Sequence, residues 1–183
     1  MKRVILVAGF LGFVVLGMAQ STNYKAFKVN IGLGYAIPTS SNGGTTGGAA
    51  FSIEPQYRLN NAINLGVRLE GAAVGSVNTG SGNADVSVLS SYTASGEYYF
   101  KPSGFRPFAG IGAGIFSMAK ANVSAASSSA SPTVNTNNAL FGFYPRLGFE
   151  TGHFRVTTEY NFVDNGGYLS FKLGFFLGGG KKK

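Results

Sequence analysis

Apolar and polar residues take turns along most of this chain. The pattern is clearest at 146–161, where Arg146, Gly148 and Glu150 interleave with Leu147 and Phe149. After a short break, Arg155, Thr157, Glu159 and Asn161 interleave with Phe154, Val156, Thr158, Tyr160 and Phe162. A period of two belongs to β-strands, whose successive side chains point to opposite faces. Eight segments carry it, at about 26–37, 50–59, 63–75, 85–100, 106–117, 139–151, 154–163 and 168–177. In the first, Phe27, Val29, Ile31, Leu33, Tyr35 and Ile37 share a face opposite Lys28, Asn30, Gly32, Gly34 and Ala36. In the fifth, Ala109, Ile111, Ala113 and Ile115 oppose Arg106, Phe108, Gly110, Gly112 and Gly114. The polar beat holds all five glutamates and the five arginines beyond Arg3.

The spacing between segments carries a second pattern. Connections after the second, fourth and sixth segments are tight: Asn60-Asn61, Lys101 to Phe105, and Gly152-His153. Those after the first, third and fifth are longer, at 38–48, 76–84 and 118–138, and the last, 164–167, is a four-residue turn. Strands of about ten alternating residues, even in number, with turns short at one end and longer at the other, are expected of a transmembrane β-barrel. A secreted β-sandwich or lipocalin-like barrel would also alternate, but its exposed beat should be rich in Lys, Glu, Thr and Asp. Here that beat is mostly Gly, Ser, Asn and Ala with a few Arg and Glu, which suits the crowded interior of a narrow barrel. The fold expected is all-β: an eight-stranded antiparallel up-and-down transmembrane β-barrel over 20–178.

Composition supports a membrane setting. Only 12% of the 183 residues are charged, about half the usual ~25% of a soluble domain. Mean hydropathy is slightly positive at +0.13, yet no internal run approaches the roughly 20 apolar residues of a transmembrane helix. The chain has 28 Gly, 16 Phe and 9 Tyr, and no Cys or Trp. Zero cysteine removes disulfide scaffolds, structural zinc and lipid attachment through an N-terminal cysteine. At the start, Lys2 and Arg3 precede an apolar stretch from Val4 to Leu16 and the small-residue site Gly17-Met18-Ala19. This is a secretory signal layout over 1–19, with cleavage expected after Ala19. The net charge of +8 falls to +6 without Lys2 and Arg3, and Lys181 to Lys183 supply half of that. No basic helix or aromatic-basic motif accompanies it, so nucleic-acid binding is not expected. Residues 179–183 read as a solvated basic tail.

On these features the chain resembles the small eight-stranded outer-membrane β-barrel family, the class of OmpX and of the OmpA transmembrane domain, in the version common in Bacteroidetes-type bacteria. The resemblance rests on the signal layout, on the strand Arg106-Pro107-Phe108-Ala109-Gly110-Ile111-Gly112-Ala113-Gly114, and on the final strand Tyr168 to Phe176. It implies location in the cell outer membrane, contact with membrane lipid and lipopolysaccharide, insertion by an outer-membrane assembly machinery, and a monomer. Such barrels often end on an aromatic residue; here Phe175-Phe176-Leu177 is followed by three glycines and three lysines.

Candidate chemistry is sparse. Gly110-x-Gly112-x-Gly114 lies inside a strand with no helix after it, unlike a dinucleotide-binding loop, and reads as small residues on an inner face. His153 is the only histidine. It has no cysteine or neighbouring carboxylate at metal-ligand spacing, and Gly152-His153-Phe154-Arg155 lacks the nearby serine that a lipid-modifying enzyme would need. No catalytic, cofactor-binding or metal-ligating set is expected. The one dense polar constellation is Glu54, Arg58, Arg68, Glu70, Glu97, Arg146, Glu150, Arg155, Glu159 and Lys172, all on the inward beat. It could line a pore, or pair within itself and plug the interior, as buried charges require. Five acids against five bases favour pairing. The function expected is non-enzymatic: a structural or surface-interaction role, with extracellular ligands contacted through 38–48, 76–84 or 118–138. The rival is a narrow passive pore, and a lipid-modifying enzyme is a third class.

Overall fold

A computed structural model describes residues 24–39, 45–78, 83–124, 134–136, 139–164 and 166–182. The signal segment 1–19 lies outside the described residues. Eight long strands follow one another: β1 (Phe27–Pro38), β2 (Gly48–Arg58), β3 (Ile63–Asn78), β4 (Asn83–Tyr99), β5 (Arg106–Ser124), β6 (Leu140–Thr151), β7 (Phe154–Val163) and β8 (Gly166–Gly178). Each pairs antiparallel with the next. β1 also pairs with β8 from Lys28↔Gly178 to Pro38↔Tyr168, which closes the barrel. Closure leaves no long open edge, as a sheet in lipid requires.

Two prolines mark weak points in the wall. The β2–β3 register passes from Ile53↔Leu69 to Gln56↔Gly66, skipping Pro55. The β6–β7 register passes from Phe143↔Phe162 to Arg146↔Glu159, skipping Pro145. Proline has no N–H to give to the ladder, so pairing lapses beside each.

The two faces are inverted relative to a soluble protein. On β1, Leu33 is 65% exposed whereas Lys28 is fully buried. The same holds on β8, where exposed Leu173 follows buried Lys172. Oil outside and charge inside is stable only where the surroundings are themselves apolar. Aromatic clusters gather near both rims. At the end carrying the tight turns and both strand termini (the turn end), Phe105 packs on Phe149 at 4.9 Å and Tyr98 meets Phe100 edge-on at 5.4 Å. At the opposite, loop end, Phe143 stacks on Phe162 at 4.8 Å, and Tyr160 lies 4.4 Å from Phe162. Such girdles suit the two interfaces of a bilayer.

The structure corrects the loops. Segments 76–84 and 118–138 are not wholly loops. β3 and β4 stay paired out to Asn78↔Asn83, and β5 runs on to Ser124. Short strands at Thr45–Thr46 and Val134–Thr136 add to β3 and β5. Ser/Ala/Gly-rich stretches have low intrinsic strand preference, but a hairpin already in register extends its ladder through them. The tail also differs from expectation. Gly178 and Gly179 take positive φ values of 74° and 59°, which favour glycine and swing the chain across the turn end. There Gly179 N donates to Phe27 O at 2.9 Å, Lys25 N donates to Gly180 O at 2.9 Å, and Tyr24 bridges to Lys181. The Lys181 and Lys182 side chains are exposed, but the backbone beneath them is docked.

Candidate functional site: the barrel interior

The inward beat of eight strands delivers its side chains to one axis, and the structure brings all ten sequence-identified charges together there. Each is buried. Two residues join that the sequence analysis placed on the inner face but left out of the network: Lys28, fully buried, and Arg106, 3% exposed. The expected balance of five acids and five bases is therefore corrected to five acids and seven bases among the described residues.

The contacts form two connected groups. Nearer the loop end, Arg146 grips Glu54 in a fork, with Nη1 to Oε2 at 2.8 Å and Nη2 to Oε1 at 2.6 Å. Arg68 and Lys172 share Glu70 and Glu159 between them. Tyr168 donates its hydroxyl to Glu70 Oε1 at 2.7 Å, and Ser95 donates to Glu54 Oε1 at 2.6 Å. Three bases, Arg68, Arg146 and Lys172, thus face three acids, Glu54, Glu70 and Glu159. Nearer the turn end, Arg155 spans Glu97 and Glu150, and Lys28 pairs with Glu150. Arg58 and Arg106 approach Glu150 Oε2 at 3.6 Å each. Arg146 Nη1, 2.9 Å from Glu97 Oε1, joins the two groups.

Aromatic residues fill the spaces between charges. The Tyr99 hydroxyl lies 2.7 Å from Glu150 Oε1 and accepts from Lys28 Nζ and Arg155 Nη1 at 3.0 Å each. The Arg68 guanidinium sits 3.7 Å from the Tyr144 ring centre, and that of Arg155 sits 4.1 Å from Phe108. Toward the loop end the interior turns apolar, with Ala36, Ala50, Ala72, Leu89, Phe116, Tyr144 and Tyr168 packed together. Tyr99 escaped the sequence analysis because Tyr98, Tyr99 and Phe100 are all aromatic, which hides the beat. Tyr144 and Tyr168 share the beat of Arg146 and Lys172, but nothing in the sequence reveals their partners.

The glycine run makes room for this filling. A Cβ at Gly112 would overlap the Tyr144 ring. At Gly148 it would lie 2.6 Å from Phe108 Cζ, and at Gly142 2.7 Å from Phe116 Cδ2. Within Gly110-x-Gly112-x-Gly114, Gly112 is therefore the position on β5 that admits the Tyr144 ring, and among the described residues no helix lies beside the run. His153 lies exposed in the β6–β7 turn, its ring 5.2 Å from Phe176. Among the described residues no group of His, Asp or Glu side chains is arranged to hold a metal ion.

The chain matches no protein-family model and no curated protein. Its fold does match solved structures. The neisserial surface protein A, NspA, superposes with a TM-score of 0.60 at 15% identity, covering 85% of this chain and 98% of that one. Ail, the attachment invasion locus protein of Yersinia pestis, in complex with the heparin analogue sucrose octasulfate, gives 0.52 at 14% identity, covering 84% and 100%. A second structure of Ail gives 0.50 at 16% identity over the same shares. At these identities the likeness is one of fold, and that fold is a closed eight-stranded antiparallel β-barrel of the outer-membrane type.

Proposed function

We propose that this protein is a sealed barrel of the outer membrane, non-enzymatic, which carries a β-structured projection on its outer side for surface interaction. The observation that carries the sealed reading is the interior itself. The ion-pair groups join through Arg146, and an apolar plug around Phe116 and Tyr144 lies toward the loop end. The outer-membrane setting is supported by the outward oily face, the two aromatic girdles, the signal layout and the fold of NspA and Ail. In this orientation the turn end is periplasmic and the loop end external, with lipid and lipopolysaccharide around the wall. Assembly machinery inserts the chain, which acts as a monomer.

The projection is asymmetric. β5 loses β6 after Phe116↔Leu140, yet stays paired with β4 from Ser117↔Ser90 to Ser124↔Asn83. At ~3.3 Å per residue that adds roughly 25 Å of strand on one side, while β7 ends at Val163 and turns at once into β8. A paired ladder presents binding groups at lower ordering cost than a free loop. It therefore favours surface interaction through 76–84 and 118–138 over transport. Ail, a barrel of this fold, is named for attachment and invasion.

Conductance separates the sealed barrel from a narrow pore. In planar bilayers the purified protein should show no stable discrete openings. Openings of fixed size that disappear when inward charges such as Glu159 are neutralised would replace the sealed barrel with a channel.

A further inference from the structure

The charge excess inside the barrel is not spread evenly. The group nearer the loop end balances, with Arg68, Arg146 and Lys172 against Glu54, Glu70 and Glu159. The group at the turn end holds four bases, Lys28, Arg58, Arg106 and Arg155, against two acids, Glu97 and Glu150. Among the described residues an excess of two positive charges thus sits at one mouth, in side chains that are all at least 95% buried. Buried charge without a counter-charge is unfavourable, so this end calls for an anion that the described residues do not supply.

The local geometry shows where the anion fits. Lys28 and Arg155 already use Glu150 Oε1, together with the Tyr99 hydroxyl. Arg58 and Arg106 come only within 3.6 Å of Oε2, outside hydrogen-bond range. Arg58 Nε and Nη2 and Arg106 Nη1 have no hydrogen-bond partner. Their other nitrogens are held firmly, since Arg58 Nη1 donates to Gly179 O at 2.7 Å and Arg106 Nη2 to Asn61 O at 3.0 Å. The two guanidiniums are therefore fixed in place with N–H groups to spare. They flank the ring of Tyr24, at 4.5 and 4.6 Å from its centre. A cavity of about 400 Å³ adjoins them, lined also by Glu150, His153 and Lys181.

We propose that this mouth binds a phosphate group, held by Arg58 and Arg106 with Lys181 at the rim. Phosphate offers several acceptor oxygens in a geometry that paired arginine forks match, and its charge offsets the local excess. In the orientation proposed above, on which this choice rests, the turn end lies at the level of the inner-leaflet headgroups, so the phosphate is either free inorganic phosphate or the phosphodiester of a phospholipid.

The test uses the full mature chain, folded in a maltoside detergent that contains no phosphate. Inorganic phosphate, titrated against chloride at constant ionic strength, should raise the unfolding temperature saturably, because a ligand of the folded state stabilises it. It should also broaden the phosphorus-31 resonance of phosphate. Arg58→Gln and Arg106→Gln should each weaken binding at least tenfold, and Arg106→Lys should weaken it less. The wild-type line width needs no variant to fold, and no broadening with no stabilisation beyond chloride overturns the proposal. So does equal binding by both Gln variants. Nanodiscs assign the source. Phosphate binding retained in galactolipid discs but abolished in phosphatidylglycerol discs identifies the lipid headgroup as occupant, and binding retained in both identifies free phosphate.

Discussion

Arg146→Ala should destabilise the folded barrel by about 3–5 kcal/mol, the cost of leaving a buried charge without its partner. Among the described residues Arg146 reaches three carboxylates, more than any other base of the interior. Its fork holds Glu54, and its Nη1 reaches Glu97 at 2.9 Å and Glu159 at 3.9 Å. After truncation Glu54 keeps only the Ser95 hydroxyl, and the bond that joins the two charge groups is gone. Replacing both partners, as in Arg146→Met with Glu54→Leu, should recover most of the loss, because no charge is then stranded. Denaturant unfolding of the detergent-folded protein reads both effects. A single variant as stable as wild type would mean that solvent reaches these groups freely, and the interior would then be a wet pore.

Leu33→Arg should cost about 2–4 kcal/mol, the penalty for a cation near the middle of the lipid-facing wall. Leu33 stands midway along β1, flanked by Phe51 and Leu173 on the adjoining strands. On a soluble barrel the same exposed position would tolerate the change within roughly ±0.5 kcal/mol. The variant therefore asks what the oily face touches, independently of what the interior does. Unfolding from lipid vesicles is the suitable measurement, and a near-neutral result would remove lipid from the account.

Much of the architecture was legible in the sequence because a period of two assigns faces residue by residue. The strand bounds agree within a few residues at most ends, and Arg106 and Phe108 do point inward on β5. The contacts inside were another matter. Glu54 and Arg146 are 92 positions apart, and only barrel closure with its stagger between strands brings them together. Lys28 and Arg106 stood on the right beat, but a lone cation at a strand start does not announce that it is buried. Counting the ten charges without them suggested neutrality and hid the excess at the turn end. The paired extensions of β3, β4 and β5 were hidden for a different reason. Ser, Ala and Gly carry no apolar beat, yet their backbone groups continue a ladder begun below.

The claim beneath all of this is that the apolar beat faces lipid around a closed barrel. Electrophoresis of detergent-extracted outer membrane, with and without boiling, tests it most directly, since a closed barrel resists detergent until heated. The account predicts recovery in the outer-membrane fraction and a different mobility for the unboiled protein. Recovery in the soluble fraction with unchanged mobility would contradict it.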